Sequence, residues 1–236
     1  MERPRWIVVG GRRRLGAALA EDLARDHELV LTSSRSWEGD AWLEGLRKST
    51  GVEALVWDAL DPRVGSRMMA DLEDLERRGM GLDGAVLVAG DFPEMPLGTW
   101  SAEELERVWC MHLTFPFLVA QALASHLRTG ACLQLVLDAA IHKPLLKRLP
   151  YSAAKAAQAS LVTGLARMLA PDVRVVGHAL GTLLPDEGSD PAWLAERSLL
   201  GRIGSPADLG RAVRYASESE HMTGDILTLD AGWRWK

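Results

Sequence analysis

The sequence predicts an α/β fold, a doubly wound parallel sheet of about seven strands with helices on both faces. Three observations predict it. Short β-like runs alternate with amphipathic helical stretches along the whole chain, as crossover helices between parallel strands require. The first run, Ile7-Val8-Val9, passes through Gly10-Gly11 directly into a helix start. The length of 236 residues, 47% hydrophobic and 25% charged, suits one large domain with a substantial core.

Strands are expected at residues 6–9, 28–32, 53–57, 84–88, 132–137, 173–177 and 226–229, all short runs carrying Val, Ile or Leu. Between them, residues 15–26 follow the glycine turn, residues 63–78 mix Met, Leu and charge, and residues 102–128 read as one long, largely apolar helix. Residues 151–170 are Ala-rich and hence strongly helical. Residues 206–218 follow the start signal Gly204-Ser205-Pro206. No repeat or linker divides the chain, so residues 1–236 read as a single domain. The least regular stretch, 183–204, is rich in Pro, Gly and acidic residues. It follows the sixth strand on the carboxyl side of the sheet, where ligands bind, and is expected to cover a substrate.

The net charge of −5 argues against nucleic acid or an anionic membrane as partner. No segment approaches the length of a membrane span, and the N-terminal apolar run is too short for a signal peptide. Two cysteines, Cys110 and Cys132, make no disulfide framework, so a reducing cytoplasmic setting is expected. The six histidines are scattered and no cysteine pair has zinc spacing, so no metal site is expected.

The segment from Gly10 through Arg12, Arg13, Arg14 and Leu15 to Gly16 joins the first strand to a helix N-terminus. Such a turn lets the backbone approach a pyrophosphate, which rests on the helix end. The second strand runs into Ser33-Ser34-Arg35-Ser36, with no acidic residue to hold a ribose 2′-hydroxyl. Hydroxyls and Arg35, with Arg13 as a second clamp, suit a 2′-phosphate, so the cofactor expected is NADP(H). Asp58, beside Ala59 at the end of the third strand, is placed either to accept from an adenine amino group or to cap a turn.

Pro150-Tyr151-Ser152-Ala153-Ala154-Lys155 opens the Ala-rich helix. Positions i and i+4 share a helix face, so phenol and ammonium project together. A nearby cation favours the phenolate, so the Tyr151 pKa is expected to fall, making the phenol a proton donor to an atom that gains charge.

The ordered set Gly10…Gly16, Ala89-Gly90, Tyr151-x-x-x-Lys155 and Asp230-Ala231-Gly232 resembles the short-chain dehydrogenase/reductase family over essentially the whole chain. The resemblance implies a Rossmann-type fold, Tyr151 as proton donor, Lys155 on the nicotinamide ribose, and cofactor contacts at Ala89, Gly90 and Gly181. Where most members carry a serine thirteen residues before the tyrosine, this chain has Asp138, and the middle glycine of the first turn is Arg14. Both features, with Pro144-Leu145-Leu146 and Phe92 after the fourth strand, resemble the pteridine reductase branch. There Phe92 would stack a pterin, Arg14 would touch a cofactor phosphate and the pterin edge, and Asp138 would assist Tyr151 in proton relay. Other positions depart from the family. Leu87-Val88-Ala89-Gly90 replaces its Asn-Asn-Ala-Gly, and His112 stands where a helix asparagine is usual.

Three functions follow from these residues: an NADPH-dependent reductase of a pterin-like C=N bond, a reductase of a ketone or 3-oxoacyl thioester, or an NADP-binding protein that no longer catalyses. The partner expected is a small-molecule substrate. Assembly as a homodimer or homotetramer is expected through the helices at 102–128 and 151–170, with Trp109, Leu113 and Phe117 forming either that seam or a sheet contact. The tail Trp233-Arg234-Trp235-Lys236 is expected to cover an interface or a neighbouring site.

Overall fold

The computed structural model describes residues 3–186 and 188–236, so Glu187, within the stretch 183–204, lies outside the described residues. Seven strands form one sheet: β1 (Arg5–Val9), β2 (Glu28–Ser33), β3 (Val52–Val56), β4 (Leu82–Leu87), β5 (Leu127–Asp138), β6 (Arg174–Leu180) and β7 (Ile226–Leu229). Their order is β3-β2-β1-β4-β5-β6-β7, and every neighbouring pair is parallel. The order reverses between β1 and β4, the switch point where a crevice opens at the carboxyl ends of the strands. Register brings those ends level: Val9 pairs with Leu87, Leu87 with Leu135, and Asp138 with Leu180.

Both faces of the sheet are covered, which explains the continuous apolar strands. On β1, Ile7 and Val9 point toward α3 (Val64–Arg77), α5 (Phe115–Leu123) and α6 (Leu149–Leu169), where Met68, Leu72, Val119, Leu123 and Val162 close one core. Trp6 and Val8 point the other way, toward α1 (Arg14–Leu23) and α8 (Pro206–Glu218), where Leu19, Leu23, Leu209 and Val213 close the second. Gly84 on β4 is small because the Trp6 indole lies against it: a Cβ there would sit 2.4 Å from the ring. Among the described residues, no helix is long and apolar enough to cross a membrane.

The stretch 102–128 departs from expectation. It is not one helix but α4 (Ala102–Trp109), a wide π-type turn at Cys110–Thr114, and α5, with 127 and 128 already in β5. Pro116 has no N–H to offer the carbonyl of His112, and the widened turn absorbs that loss. At the early start of β5, Leu127 pairs with Leu82 and is buried in the core, and Arg128 forms an ion pair with Asp83 at 2.8 Å on the surface. Trp109 and Phe117 are exposed at 39% and 40%, so this stripe faces outward; Val108, Phe115 and Val119 are buried instead. In the tail, Trp233 is half-buried beneath Lys143, while Trp235 is 73% exposed within the single chain.

Two short helices were not anticipated. Asp40 caps α2 (Ala41–Arg47) by accepting from Leu43 N at 3.0 Å. Asp190 caps α7 (Pro191–Glu196), which interrupts the stretch 183–204, by accepting from Ala192 N at 2.9 Å.

Candidate active site

The turn after β1 depends on glycine at two positions. Gly10 has φ +87°, and a Cβ on it would meet Ala89 Cα at 2.6 Å; a Cβ on Gly16 would lie 2.1 Å from the Gly10 carbonyl oxygen. The strand and helix therefore close tightly, with the N-terminus of α1 facing the crevice. The three arginines of this turn diverge. Arg12 is engaged on the surface: it pairs with Asp40 at 2.9 Å, donates to the Ser36 carbonyl at 2.5 Å and lies over the Trp37 ring. Arg13 is exposed, as are Arg35 and Ser36 at the end of β2. Arg14, followed by Leu15, takes a left-handed φ of +51° and reaches across to the segment after β6, where it pairs with Asp186 at 3.0 Å. Asp58 accepts from Leu60 N at 3.0 Å and so acts as a turn cap; the buried Ala59 carbonyl accepts from the Cys110 thiol. Gly181, at the end of β6, packs on Asp230.

A second group gathers where β4 and β5 end. Pro150 in the first turn of α6 starts that helix, which puts Tyr151 at its mouth and Lys155 one turn deeper. The Tyr151 hydroxyl donates to Asp138 Oδ2 at 2.9 Å, while Asp138 Oδ1 accepts from Ala140 N at 2.7 Å. Asp138 thus serves the phenol and the turn after β5 together. Lys155 is buried and donates to the Val136 carbonyl at 2.9 Å and to Gln158 Oε1 at 3.0 Å. Its ammonium lies 5.9 Å from the centre of the Tyr151 ring. Phe92, 38% exposed, packs nearly perpendicular to Tyr151 with centroids 4.9 Å apart, and Arg148 covers its ring at 3.7 Å. His112 packs on Tyr151 from another side, also at 4.9 Å.

The electrostatics correct one expectation. The Tyr151 phenol is held well above its ordinary pKa, first by burial and then by the negative charge of Asp138, whose carboxylate accepts its proton. Lys155 does not reverse this, because its ammonium is directed to Val136 and Gln158. Burial lowers Lys155 itself to about 8. Burial also raises the Asp138 carboxyl, against the hydrogen bonds from Ala140 and Tyr151 that favour its charged form. Tyr151 is therefore a neutral phenol near pH 7, and Asp138 is a carboxyl with increased affinity for a proton. Among the described residues, no cluster of three His, Cys, Asp or Glu could hold a metal.

Residues 10–234 match the family model described as enoyl-(acyl carrier protein) reductase. The chain is a short-chain dehydrogenase/reductase. Within that oxidoreductase family, it is 26% identical to a dihydromonapterin reductase of Klebsiella pneumoniae, over 98% of this chain and 97% of the relative. It is also 28% identical to a gluconate 5-dehydrogenase of Gluconobacter oxydans, over 97% and 93% of the two chains. Among solved structures it resembles the FolM alternative dihydrofolate reductase 1 of Brucella canis, complexed with NADP, with a TM-score of 0.87 and 25% identity over 99% and 95% of the chains. The likeness to dihydromonapterin reductases agrees with the pteridine reductase branch indicated by Arg14 and Asp138.

Sequence reasoning missed three members of this site. Asp91 accepts from His112 Nε2 at 2.9 Å, Gln158 holds Lys155, and Arg148 covers Phe92. Gln158 had a signal in its spacing, one turn beyond Lys155 on the same helix. Asp91 had none, since its partner lies 21 residues away.

Proposed function

We propose that this short-chain dehydrogenase/reductase uses NADPH to reduce a C=N bond of a pterin-like heterocycle, with Tyr151 as proton donor assisted by Asp138 and Lys155. The hydrogen bond from Tyr151 to Asp138 carries the reading. A serine there would be a neutral donor to a carbonyl oxygen; an ionised aspartate cannot donate, but a carboxyl of raised pKa can take up a proton and return it.

The residues present fit the dinucleotide. The turn at Gly10 and Gly16 has no room for side chains on its inner side, and the N-terminus of α1 would receive the anionic pyrophosphate. The guanidiniums of Arg13 and Arg35 stand exposed at the rim where a 2′-phosphate would lie. When bound, NADPH supplies the hydride. Tyr151 gives its phenolic proton to the nitrogen that gains the electron pair, and protonated Asp138 refills the phenolate. Lys155 stabilises that phenolate by its charge and would hold the ribose hydroxyls. Phe92, 38% exposed, would offer a flat ring the aromatic surface that Arg148 and Tyr151 leave uncovered. Arg14 would turn from Asp186 toward a phosphate and the substrate edge. We expect a homodimer or homotetramer built on the outward stripe at Trp109 and Phe117; sedimentation of the chain as a monomer would remove that expectation.

The test is NADPH oxidation with dihydrobiopterin, dihydromonapterin and an acetoacetyl thioester, in parent and Tyr151→Phe proteins. Pterin-dependent turnover that disappears in the variant is the expected result. Turnover on the thioester alone would move the reading to a ketone reductase, and tight NADPH binding without any turnover to a retired site.

A further inference from the structure

Asp91 lies just past the end of β4, and its carboxylate is used on both sides. Oδ1 accepts from His112 Nε2 at 2.9 Å, and Oδ2 pairs with Arg107 at 2.6 Å. The hydrogen bond from His112 and the Arg107 charge outweigh the burial of Asp91 and hold its carboxyl below the usual range. An ionised carboxylate can accept but not donate, so the proton of a neutral His112 must sit on Nε2. The imidazole is neutral near pH 7, because burial holds it below its ordinary value. The other nitrogen, Nδ1, is then a bare acceptor. It is buried and has no hydrogen-bond partner among the described residues. A Cβ on Gly90 would lie 3.5 Å from it and 3.0 Å from the adjoining Cε1, so this side of the ring faces the segment after β4, and the ring stands nearly perpendicular to that of Tyr151.

We infer that Asp91 is a positioning residue: anchored by Arg107, it fixes the His112 tautomer so that Nδ1 is presented as a hydrogen-bond acceptor beside Gly90 and Tyr151. This role rests on the proposed reductase function for its kinetic consequence, though not for the tautomer itself. An orphaned buried acceptor is costly unless a donor occupies it during the working cycle. The donor's chemical class follows from the atom: a water or a hydroxyl or amide N–H brought by the bound ligands.

Arg107 makes the inference testable. In Asp91→Asn the amide must satisfy a guanidinium, which demands the oxygen. The NH2 is thereby turned toward His112 Nε2, which must become the acceptor, and the imidazole proton moves to Nδ1. A nearly isosteric change thus inverts the tautomer without removing a side chain. The measurement is 15N NMR of histidine-labelled protein, with His112 assigned by comparison with His112→Asn, alongside kcat and the NADPH dissociation constant. We expect Nε2–H in the parent and Nδ1–H in Asp91→Asn. We also expect kcat to fall at least about tenfold, within the range of acid–base effects, with NADPH affinity within about twofold. Adding Arg107→Met to Asp91→Asn frees the amide to rotate and should restore both the tautomer and part of kcat. Nδ1–H in the parent, an unaltered tautomer in Asp91→Asn, or inversion with unchanged kcat would each overturn the assignment. If no pterin is turned over, the function proposed above fails separately, and the spectra alone decide: inversion keeps the tautomer assignment and its absence removes it.

Discussion

Lys155 should be a liability to the fold at neutral pH, and the size of that liability can be worked out. Its ammonium is 5% exposed and lowered by burial from 10.5 to about 8. The unfolded chain therefore binds this proton more tightly than the folded one. Stability rises with pH between about 8 and 10.5; the penalty is fully present below pH 8 and gone above 10.5. Each tenfold loss of proton affinity is worth about 1.4 kcal/mol, so the penalty amounts to about 3 kcal/mol at pH 7. Lys155→Met keeps most of the aliphatic stem and removes the charge. It also strips the Val136 carbonyl and Gln158 Oε1 of their donor, at about 1 kcal/mol each. The variant should then be more stable than the parent by about 1 kcal/mol at pH 7 and less stable by about 1 kcal/mol at pH 10. Urea unfolding of both proteins at the two pH values reads this directly, because other titrating groups are shared and cancel in the difference. The variant should have lost its reductase turnover. A variant less stable by the same amount at both pH values would refute the reasoning, since the ammonium would then carry no desolvation penalty.

The glycine turn and the phosphate clamp give two further outcomes. Gly16→Ala places a Cβ within 2.1 Å of the Gly10 oxygen, so the turn must open; a loss of roughly 2 kcal/mol or more is expected in thermal unfolding. A parent-like melting temperature would show that the turn closes more loosely than this distance requires. Arg35→Ala should raise KM for NADPH about tenfold and leave KM for NADH unchanged, as expected for one charge-assisted contact to a 2′-phosphate. An equal rise for both cofactors would move the clamp elsewhere.

The alternation of apolar runs with helical stretches identified all seven strands, because strands buried on both faces carry an unbroken apolar signal that does not depend on tertiary context. It failed where a local pattern has a non-local cause. Residues 127 and 128 look like a helix end, yet Leu127 pairs with Leu82 of β4 and packs into the core there. Residues 110–114 look helical and are nearly so, but Pro116 withholds one donor and widens the turn. Trp109 and Phe117 share a stripe that period alone assigns to either face. Which face is buried depends on where Phe115 and Val119 meet α3 and the sheet.

The site shows the same division more sharply. That Tyr151 and Lys155 would lie together was legible from their four-residue spacing on one helix, whereas Asp138 was marked only by the family resemblance. What the spacing could not reveal was depth. Two ionisable groups one helical turn apart suggest that the cation lowers the phenol. In the folded chain the lysine turns to a strand carbonyl, the phenol turns to a carboxylate, and both lose water, so the phenol goes up and the ammonium comes down. The difference has a chemical meaning. A phenol kept protonated by an acidic neighbour starts each reductive cycle as a donor and needs a nearby group to reload it. A phenol tuned downward by a cation would begin part-way to its spent form. In the proposed reductase, Asp138 in place of a serine would therefore change the resting charge beside the phenol, and that change lies in the contacts made after folding rather than in the spacing of the motif.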